Sequence, residues 1–242
     1  MEAGNFSEKL NVYTLDVQTH SIKILTQLSL RVMNLRNIFL STAVAVTAMG
    51  FTPNTPKAVE YKADKQQTKI SWLGKKVTGE HNGSINLADG KLTTKGNTII
   101  GGLFTIDMSS ITNADLTDAG YNQKLVGHLK SDDFFSTDKY PTSTLVLTKV
   151  TPTGKNQYKV NGDLTIKGIK KPVEFPATIT MDGNQLRGKA KVIVDRTKYD
   201  IKYGSGSFFD NLGDKAINND FELNIDLVAS KAGSTVSTAS AK

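Results

Sequence analysis

The sequence predicts an all-β protein in which about eight antiparallel strands close into a barrel, accompanied by one or two short helices. Between residues 56 and 230, apolar side chains recur at every second position, which is the period of a half-buried strand. Short segments rich in Gly and Asn separate these runs and are typical of tight turns. A closed barrel hides the apolar face of every strand and leaves no sheet edge. A two-sheet sandwich fits the same period and stays open as the alternative.

Each predicted strand carries its apolar residues on one parity. In chain order, the residues expected to face inward are Ile70 and Trp72; Phe104, Ile106 and Met108; Leu145 and Leu147; Val160, Leu164 and Ile166; Val173, Phe175, Ala177, Ile179 and Met181; Leu186, Ala190, Val192 and Val194; and Phe221, Leu223, Ile225 and Leu227. The turns expected between these runs include Asp89-Gly90, Lys95-Gly96-Asn97, Thr153-Gly154-Lys155-Asn156 and Asp182-Gly183-Asn184. Helical spacing of apolar residues predicts a short helix over 122–129, and 204–219 is predicted to be an irregular loop with one helical turn at most.

Composition and charge narrow the function classes. The chain has 242 residues, 38% hydrophobic and 22% charged, as in ordinary globular proteins. Its net charge of +7 comes from lysines scattered singly, whereas a nucleic-acid site needs clustered basic residues. We therefore expect no nucleic-acid partner, and leave open a transient contact with a membrane surface and a homodimer. The absence of cysteine excludes disulfides, thiol catalysis and thiolate metal ligands.

Residues 33–50 have the order of a secretory signal peptide. Arg36 precedes an uncharged apolar run from Ile38 to Met49, and small residues follow before Phe51. The run is shorter than the roughly 20 residues that a membrane-spanning helix needs, and a buried core helix is the alternative. The pattern predicts a periplasmic or secreted protein.

This assignment divides the chain into four segments. Residues 1–32 precede the signal and are predicted to be an upstream over-translation, with Met33 as the true start. Residues 51–230 form the predicted barrel domain. Residues 231–242 are rich in Ser, Thr and Ala, which predicts a disordered tail.

Small residues stand at several inward positions of the predicted strands. They are Gly102, Gly162, Ala177, Gly188 and Ala190. Small side chains inside a barrel leave room for a ligand, but glycine also serves to bend strands. Both interpretations stay open.

Several segments resemble the YceI family of periplasmic and secreted proteins. The matching segments, in order and at fitting spacing, are Ile70-Ser71-Trp72, His81-Asn82-Gly83, Gly101 to Met108, His128 to Phe135 followed by Lys139-Tyr140-Pro141, Gly162 to Gly168, and Asp195-Arg196-Thr197. The resemblance implies a lipocalin-like barrel that holds a polyisoprenoid-type chain, acts in lipid carriage, storage or stress response, and has no defined enzymatic activity. The family often has a histidine near its first strand, but the corresponding residues 63–68 contain none.

The candidate ligand-binding residues are the inward apolar side chains. They are Trp72, Ile85, Phe104, Ile106, Leu145, Leu147, Leu164, Phe175, Ala177, Ile179, Val192, Phe221, Leu223 and Ile225. The sequence does not decide whether they contact one another or a ligand. A long isoprenoid would gain about 0.8 kcal/mol for each buried methylene-sized unit, with no polar recognition required.

Four polar residues are candidates for contact with a head group: His81, Asp107, His128 and Arg196. The two histidines, with Asp107 or Asp195, supply the residue types of a metal site or an acid–base pair. The alternative is that each histidine makes buried hydrogen bonds that hold a loop against the barrel. Arg196 is expected to pair with Asp195 at the barrel mouth or to meet a phosphate.

The sequence therefore predicts a lipid-binding protein without enzymatic activity and without a cofactor. A metal- or His/Asp-dependent hydrolase and a ligand-free structural stress protein are the alternatives.

Overall fold

The computed structural model describes residues 56–233. Its strands are β1 (Ala58–Ala63), β2 (Lys69–Lys76), β3 (Gly79–Ser84), β4 (Asn86–Lys95), β5 (Thr98–Asp107), β6 (Thr142–Gly154), β7 (Gln157–Ile166), β8 (Ile169–Asp182), β9 (Gln185–Asp195) and β10 (Ile217–Lys231). One α-helix, α1, spans Ala119–Lys130, and short 3-10 helices span Met108–Ser110, Arg196–Tyr199 and Gly213–Lys215. Within this part of the chain, no helix is both long and apolar enough to cross a membrane.

The strands close into an antiparallel barrel, as the sequence predicts. Going around the ring, the order is β1, β4, β5, β6, β7, β8, β9 and β10, and β10 pairs back onto β1. β1 and β2 lie end to end, because both pair with β10: β1 pairs with its residues 229–231 and β2 with its residues 217–226. β3 and β4 also lie end to end, because β3 pairs with β2 and β4 pairs with β1. The ten strands therefore occupy eight positions of the ring. The closed ring excludes the two-sheet sandwich.

The predicted parity of the strands is confirmed on β10. Phe221, Leu223, Ile225 and Leu227 point into the barrel, where they pack with the apolar residues of other strands. The residues between them face outward, and two of them form cross-strand ion pairs: Glu222 with Lys191 at 2.7 Å and Asp226 with Lys189 at 3.5 Å. The alternation follows because successive side chains of a strand point to opposite faces of the sheet.

The two ends of the barrel differ. One end, here called the turn end, has tight turns at 96–97, 155–156 and 183–184. The opposite end, here called the loop end, carries α1 and the segments that join β5 to β6 and β9 to β10. Close to the turn end the interior is packed by side chains that are at most 7% exposed, namely Tyr61, Ala63, Leu92, Ile99, Leu186 and Ala229. The interior is therefore closed at the turn end.

One predicted turn is wrong. Asp89-Gly90 lies inside β4, beside an irregularity in its register with β5. A Cβ atom at Gly90 would lie 2.8 Å from Cδ1 of Phe104 and 2.9 Å from Cβ of Ala63. The glycine is thus required by close packing inside the barrel rather than by a turn.

The predicted helix is confirmed and begins three residues earlier than expected. Asp118 caps it, and its carboxylate accepts a hydrogen bond from the main-chain N–H of Tyr121 at 2.9 Å. The predicted irregular loop contains one helical turn, Gly213–Lys215, and β10 begins inside its predicted range. β10 ends at Lys231, the first residue of the predicted tail. Residues 1–32, 33–50 and 234–242 lie outside the described residues.

Candidate ligand-binding cavity

The barrel encloses a cavity of about 280 Å³. Its wall is formed by inward side chains of the strands, together with side chains from α1 and the segment after it. All fourteen apolar residues predicted from the sequence lie on this wall: Trp72, Ile85, Phe104, Ile106, Leu145, Leu147, Leu164, Phe175, Ala177, Ile179, Val192, Phe221, Leu223 and Ile225. That they contact a ligand stays a prediction.

Several of these inward side chains are only half-buried. Phe221, Leu223 and Ile225 of β10 belong to this group, as do Leu145 and Leu147 of β6. A side chain that points into a well-packed core is normally buried completely, because protein interiors have few voids. Their residual exposure therefore marks apolar surface that faces the cavity.

The cavity reaches the surface at the loop end. Four exposed residues of its wall, Lys75, Lys76, Asn218 and Asp220, lie where β2 ends and β10 begins. These residues are neighbours, because Lys76 pairs with Ile217 across the two strands. They define the mouth of the cavity. The fifth exposed wall residue, Lys189, lies on the outer side of β9, where it pairs with Asp226.

Sequence reasoning missed the contribution of α1 and the segment that follows it. Leu125 and Leu129 of the helix, and Phe134 and Phe135 after it, line the cavity near the loop end. The ring of Phe135 packs edge-on against Phe221, with 6.1 Å between centroids. The i, i+4 spacing of the two leucines was the available signal, since it places them on one face of a helix.

The segment His81-Asn82-Gly83 holds the loop after β5 against β3. Nδ1 of His81 lies 2.7 Å from the carboxylate of Asp115, and the N–H of Asn82 donates to the same carboxylate at 2.8 Å. Burial alone would raise the pKa of Asp115, but the hydrogen bonds from Asn82, His81 and Asn113 outweigh it and lower the pKa to about 2. His81 lines the cavity near the mouth, where its side chain is 30% exposed.

Gly83 completes this contact by allowing a close approach of two main chains. A Cβ atom at Gly83 would lie 1.9 Å from the carbonyl oxygen of Thr112. That carbonyl accepts a hydrogen bond of 2.9 Å from the indole N–H of Trp72, a wall residue. The loop, β3 and the cavity wall are therefore connected through one carbonyl group.

The alternative in which the histidines group with Asp107 or Asp195 does not hold, because each aspartate has other partners. The Asp107 carboxylate accepts from the N–H and the hydroxyl of Ser109 and caps the 3-10 helix that follows β5. The Asp195 carboxylate caps the next 3-10 helix through Thr197 in the same way. Both aspartates occupy strand ends, where unpaired main-chain N–H groups need an acceptor. Asp107 does not line the cavity.

His128 also lies away from the cavity wall. Its Nε2 atom is 3.0 Å from the carboxylate of Asp133, and its ring packs edge-on against Phe134 and Tyr203. The histidine thus links α1 to the segment after it and to the loop before β10. It holds a loop in place, as expected, but its side chain is 35% exposed rather than buried.

Arg196 is buried at the loop end and lines the cavity, with 4% of its surface exposed. The expected ion pair with Asp195 does not form. The guanidinium donates instead to three main-chain carbonyls, those of Asn218 at 2.9 Å, Ile201 at 2.8 Å and Ile217 at 3.0 Å. Burial lowers the pKa of Arg196. Its structural effect is to hold the loop between β9 and β10 against the barrel.

The small inward residues fall into two groups. Ala177, Gly188 and Ala190 line the cavity. For Gly102 and Gly162 the idea that they leave room is wrong. A Cβ atom at Gly102 would lie 2.9 Å from Cδ2 of Leu92, and one at Gly162 would lie 2.7 Å from the carbonyl oxygen of Val146. Neighbouring atoms fill that space.

No group of three or more His, Asp or Glu side chains in residues 56–233 is arranged to hold a metal ion. The four predicted polar residues, His81, Asp107, His128 and Arg196, each have separate hydrogen-bond partners and do not form one cluster. What the structure assembles is an apolar cavity with a polar mouth.

The chain has matches among known protein families and known sequences. The YceI-like domain matches residues 61–229, which is most of the chain. A UPF0312 protein of Pseudomonas putida (strain W619) is 33% identical over 132 residues, covering 52% of this chain and 65% of that protein. A UPF0312 protein of Shewanella denitrificans is 27% identical over 157 residues, covering 62% of this chain and 78% of that protein. The chain thus spans just under two thirds of the Pseudomonas relative.

Two solved structures share the fold. BcnA of Burkholderia cenocepacia superposes with a TM-score of 0.56 at 24% identity, covering 69% of this chain and 99% of BcnA. A polyisoprenoid binding domain from Saccharophagus degradans superposes with a TM-score of 0.53 at 12% identity, covering 71% of this chain and 98% of that domain. Together with the match over residues 61–229, the closed barrel establishes that the chain belongs to the YceI-like family.

Proposed function

We propose that this protein binds the apolar chain of a lipid, of the polyisoprenoid class, inside the barrel. The observation that carries the proposal is the apolar cavity of about 280 Å³ that opens at the loop end. Ligand pockets in proteins typically measure about 300–1,000 Å³, are lined mainly by apolar side chains and have few polar groups. The volume of this cavity is close to the lower limit of that range. The wall described above has this chemistry.

The energetics favour an apolar guest over water. Water in a cavity needs two to four polar partners, and most of the wall consists of aliphatic and aromatic side chains. Side chains that face an empty space lose part of their van der Waals contact energy, which a guest would recover in part. An apolar chain is the kind of guest that recovers it without needing polar contacts.

The geometry favours one orientation of the lipid. The interior near the turn end is filled by Tyr61, Ile99 and Leu186, so a chain would enter from the mouth with its tail first. Its polar end would then remain near Arg196 at the loop end. The guanidinium has five N–H groups, and three of them donate to main-chain carbonyls, which leaves donors for an anionic head group. We therefore expect a prenyl phosphate to bind more tightly than the corresponding alcohol.

The proposed role is carriage or storage outside the cytoplasm, without catalysis, as part of a stress response. The secretory pattern of residues 33–50 supports export. The name of the Saccharophagus relative supports the ligand class, although its 12% identity establishes only a shared fold. Export is tested by sequencing the N-terminus of protein recovered from the periplasm. A start near Phe51 is expected, and an intact Met1 or Met33 would contradict the proposal.

Trp72 allows a direct binding test, because it is the one tryptophan of the chain and it lines the cavity. A dansyl-labelled prenyl alcohol in the cavity should accept energy from Trp72, and unlabelled geranylgeraniol should reverse the transfer. The variant Trp72→Phe gives the background signal. Mass spectrometry of an organic extract from natively purified protein gives an independent test. Absence of both energy transfer and a co-purified lipid would contradict the proposed function.

A further inference from the structure

Exposed apolar side chains are concentrated at the loop end. Among the described residues, ten large apolar side chains are exposed: Val77, Ile100, Leu103, Tyr121, Tyr140, Val146, Ile193, Tyr203, Phe208 and Phe209. Six of them (Val77, Tyr121, Tyr140, Tyr203, Phe208 and Phe209) belong to loops or the helix at the loop end, and the other four lie along the barrel wall. The turns of the opposite end consist of Gly, Asn and Lys and contribute none. Concentration of such residues at one end marks a surface for interaction.

The loop before β10 presents two adjacent phenylalanines from a fixed base. Phe208 and Phe209 are 49% and 50% exposed, and the N–H groups of both donate to the carbonyl of Ser205 at 3.0 Å. Ser205 itself is fully buried, and its hydroxyl donates to the side chain of Asn219 at 2.6 Å. The exposure of the two rings is therefore a feature of an anchored turn.

These phenylalanines are close to the mouth of the cavity. The N–H of Ile217, a wall residue, donates to the carbonyl of Gly204 at 2.7 Å. On the other side, the N–H of Val77 donates to the carbonyl of Ala216 at 3.1 Å. Val77 is 64% exposed and follows the mouth residue Lys76 directly. The exposed side chains of Val77, Phe208 and Phe209 are here called the apolar rim. Main-chain hydrogen bonds thus connect the segments that carry this rim to the mouth of the cavity.

Two lysines near this rim, Lys202 and Lys75, lie beside carboxylates. Lys202 pairs with Asp200 at 2.7 Å and also lies 5.3 Å from the centroid of the Phe208 ring. Lys75 approaches Glu80 at 4.0 Å. The pairing of these two lysines weakens their attraction for a polyanion such as a nucleic acid. The interface of a phospholipid bilayer accepts aromatic rings, and its zwitterionic head groups carry both charges. The exposed phenylalanines and the lysine–carboxylate pairs of the rim match such an interface.

We propose that the loop end docks on a membrane surface, with Phe208, Phe209 and Val77 inserted among the lipid head groups and the mouth of the cavity facing the bilayer. This inference rests on the proposed function in one respect, since a lipid would pass between bilayer and cavity through the mouth. Insertion of a few apolar side chains gives weak and reversible binding, as a carrier requires.

The test measures partitioning of the mature protein onto phosphatidylcholine vesicles, with and without phosphatidylglycerol, by sedimentation. The double variant Phe208→Ser/Phe209→Ser should lower the partition coefficient by about tenfold or more, because two half-exposed phenyl rings lose their burial. The matched control is Ile100→Ser/Ile193→Ser, which removes two residues of similar exposure, 53% and 59%, from the barrel wall. We expect the control to partition like the wild type, and phosphatidylglycerol to add little.

Ligand binding is measured separately, by energy transfer from Trp72 in the absence of vesicles. Docking is supported if the phenylalanine variant keeps lipid binding in solution and loses vesicle binding. Docking is overturned if the wild type does not sediment with vesicles, or if both double variants lose vesicle binding equally. It is also overturned if the wild type is a dimer in solution and the phenylalanine variant is a monomer, because the rim would then be a contact between two copies. Vesicle binding without any lipid uptake would contradict the proposed function and leave docking supported.

Discussion

The hydroxyl of Thr68, which lies between β1 and β2, makes two hydrogen bonds to the main chain of Val228 in β10, 160 residues later. It accepts a hydrogen bond from the N–H of Val228 at 3.2 Å and donates to the carbonyl of the same residue at 3.3 Å. Residues 64–68 interrupt the strand between β1 and β2. There the main-chain N–H of Asp64 donates to the carbonyl of Val228 at 2.8 Å, whereas the N–H of Val228 has the Thr68 hydroxyl as its acceptor. The side chain of Thr68 therefore adds to the main-chain contacts that close the barrel across the interruption.

Replacing Thr68 with Val should therefore lower the free energy of unfolding by about 1–3 kcal/mol, because the buried N–H of Val228 loses its acceptor while the shape is nearly conserved. The matched control is Thr178→Val on the exposed face of β8, where the change should be close to neutral. Urea unfolding followed by Trp72 fluorescence measures both. Equal stability of Thr68→Val and the wild type would show that these hydrogen bonds do not hold the barrel closed.

A pair of glycine substitutions separates close packing from free space. Gly83→Ala places a methyl group 1.9 Å from the carbonyl of Thr112, so β3 and the loop must separate, at a cost of about 2–3 kcal/mol. At Gly188 the nearest atom to the new methyl group is Cβ of Leu227 at 3.6 Å, an ordinary contact. Gly188→Ala should thus be neutral, or stabilising by about 0.5 kcal/mol through the unfolded chain.

Thermal unfolding of the two alanine variants gives the comparison, and the emission of Trp72 reports the loop. Gly83→Ala should shift that emission, since the indole N–H donates to the displaced carbonyl. A Gly83→Ala protein with the stability and emission of the wild type would contradict the close approach.

Asp115 makes stability depend on pH in the acid range. Its pKa is about 2 in the folded protein against an ordinary value of 3.8, so the carboxylate is favoured by folding. A depressed folded pKa contributes stability that is complete above about pH 4 and is lost as the pH falls toward 2. Since the side chain is 25% exposed, we expect a contribution on the order of 1 kcal/mol after solvent screening.

Asp115→Asn should remove this part of the pH dependence. The free energy of unfolding is measured by urea denaturation at pH 5 and at pH 2.5, and the difference between the two values should be smaller in the variant than in the wild type. Asp210→Asn, an exposed carboxylate in the loop before β10, is the control and should retain the wild-type difference. An unchanged difference in Asp115→Asn would exclude Asp115 as the origin.

The strand faces could be predicted from the sequence because the side-chain period of a strand is local. All fourteen predicted apolar residues lie on the cavity wall for this reason. The partners of the polar residues could not be predicted. Asp115 lies 34 residues from His81 in a segment without period, and Arg196 is held by main-chain carbonyls, which have no sequence signature. Gly90 resembled a turn residue because its neighbours across the sheet are not visible in the sequence.

The sharpest test of the cavity is Ala177→Phe. Ala177 lines the cavity, is half-buried, and stands opposite Ala190 on the neighbouring strand. A phenyl ring there should fill free space, so the melting temperature of the ligand-free protein should hold or rise while lipid binding weakens. In a fully packed core, the same change would cost about 1–3 kcal/mol of stability. The two possibilities therefore give opposite signs for one measurement.

The position of Ala177 also predicts which lipids are affected. It lies in the half of β8 (Ile169–Asp182) that is nearer to the turn end, so the ring should shorten the part of the cavity that a chain can reach. Geranylgeraniol should lose more affinity than the shorter geraniol, in competition against the dansyl-labelled probe excited through Trp72. Thr178→Phe, the next residue and exposed on the outer face, should leave both affinities unchanged. If folded Ala177→Phe protein binds both alcohols as the wild type does, Ala177 is not part of the binding site, and the tail-first orientation is wrong.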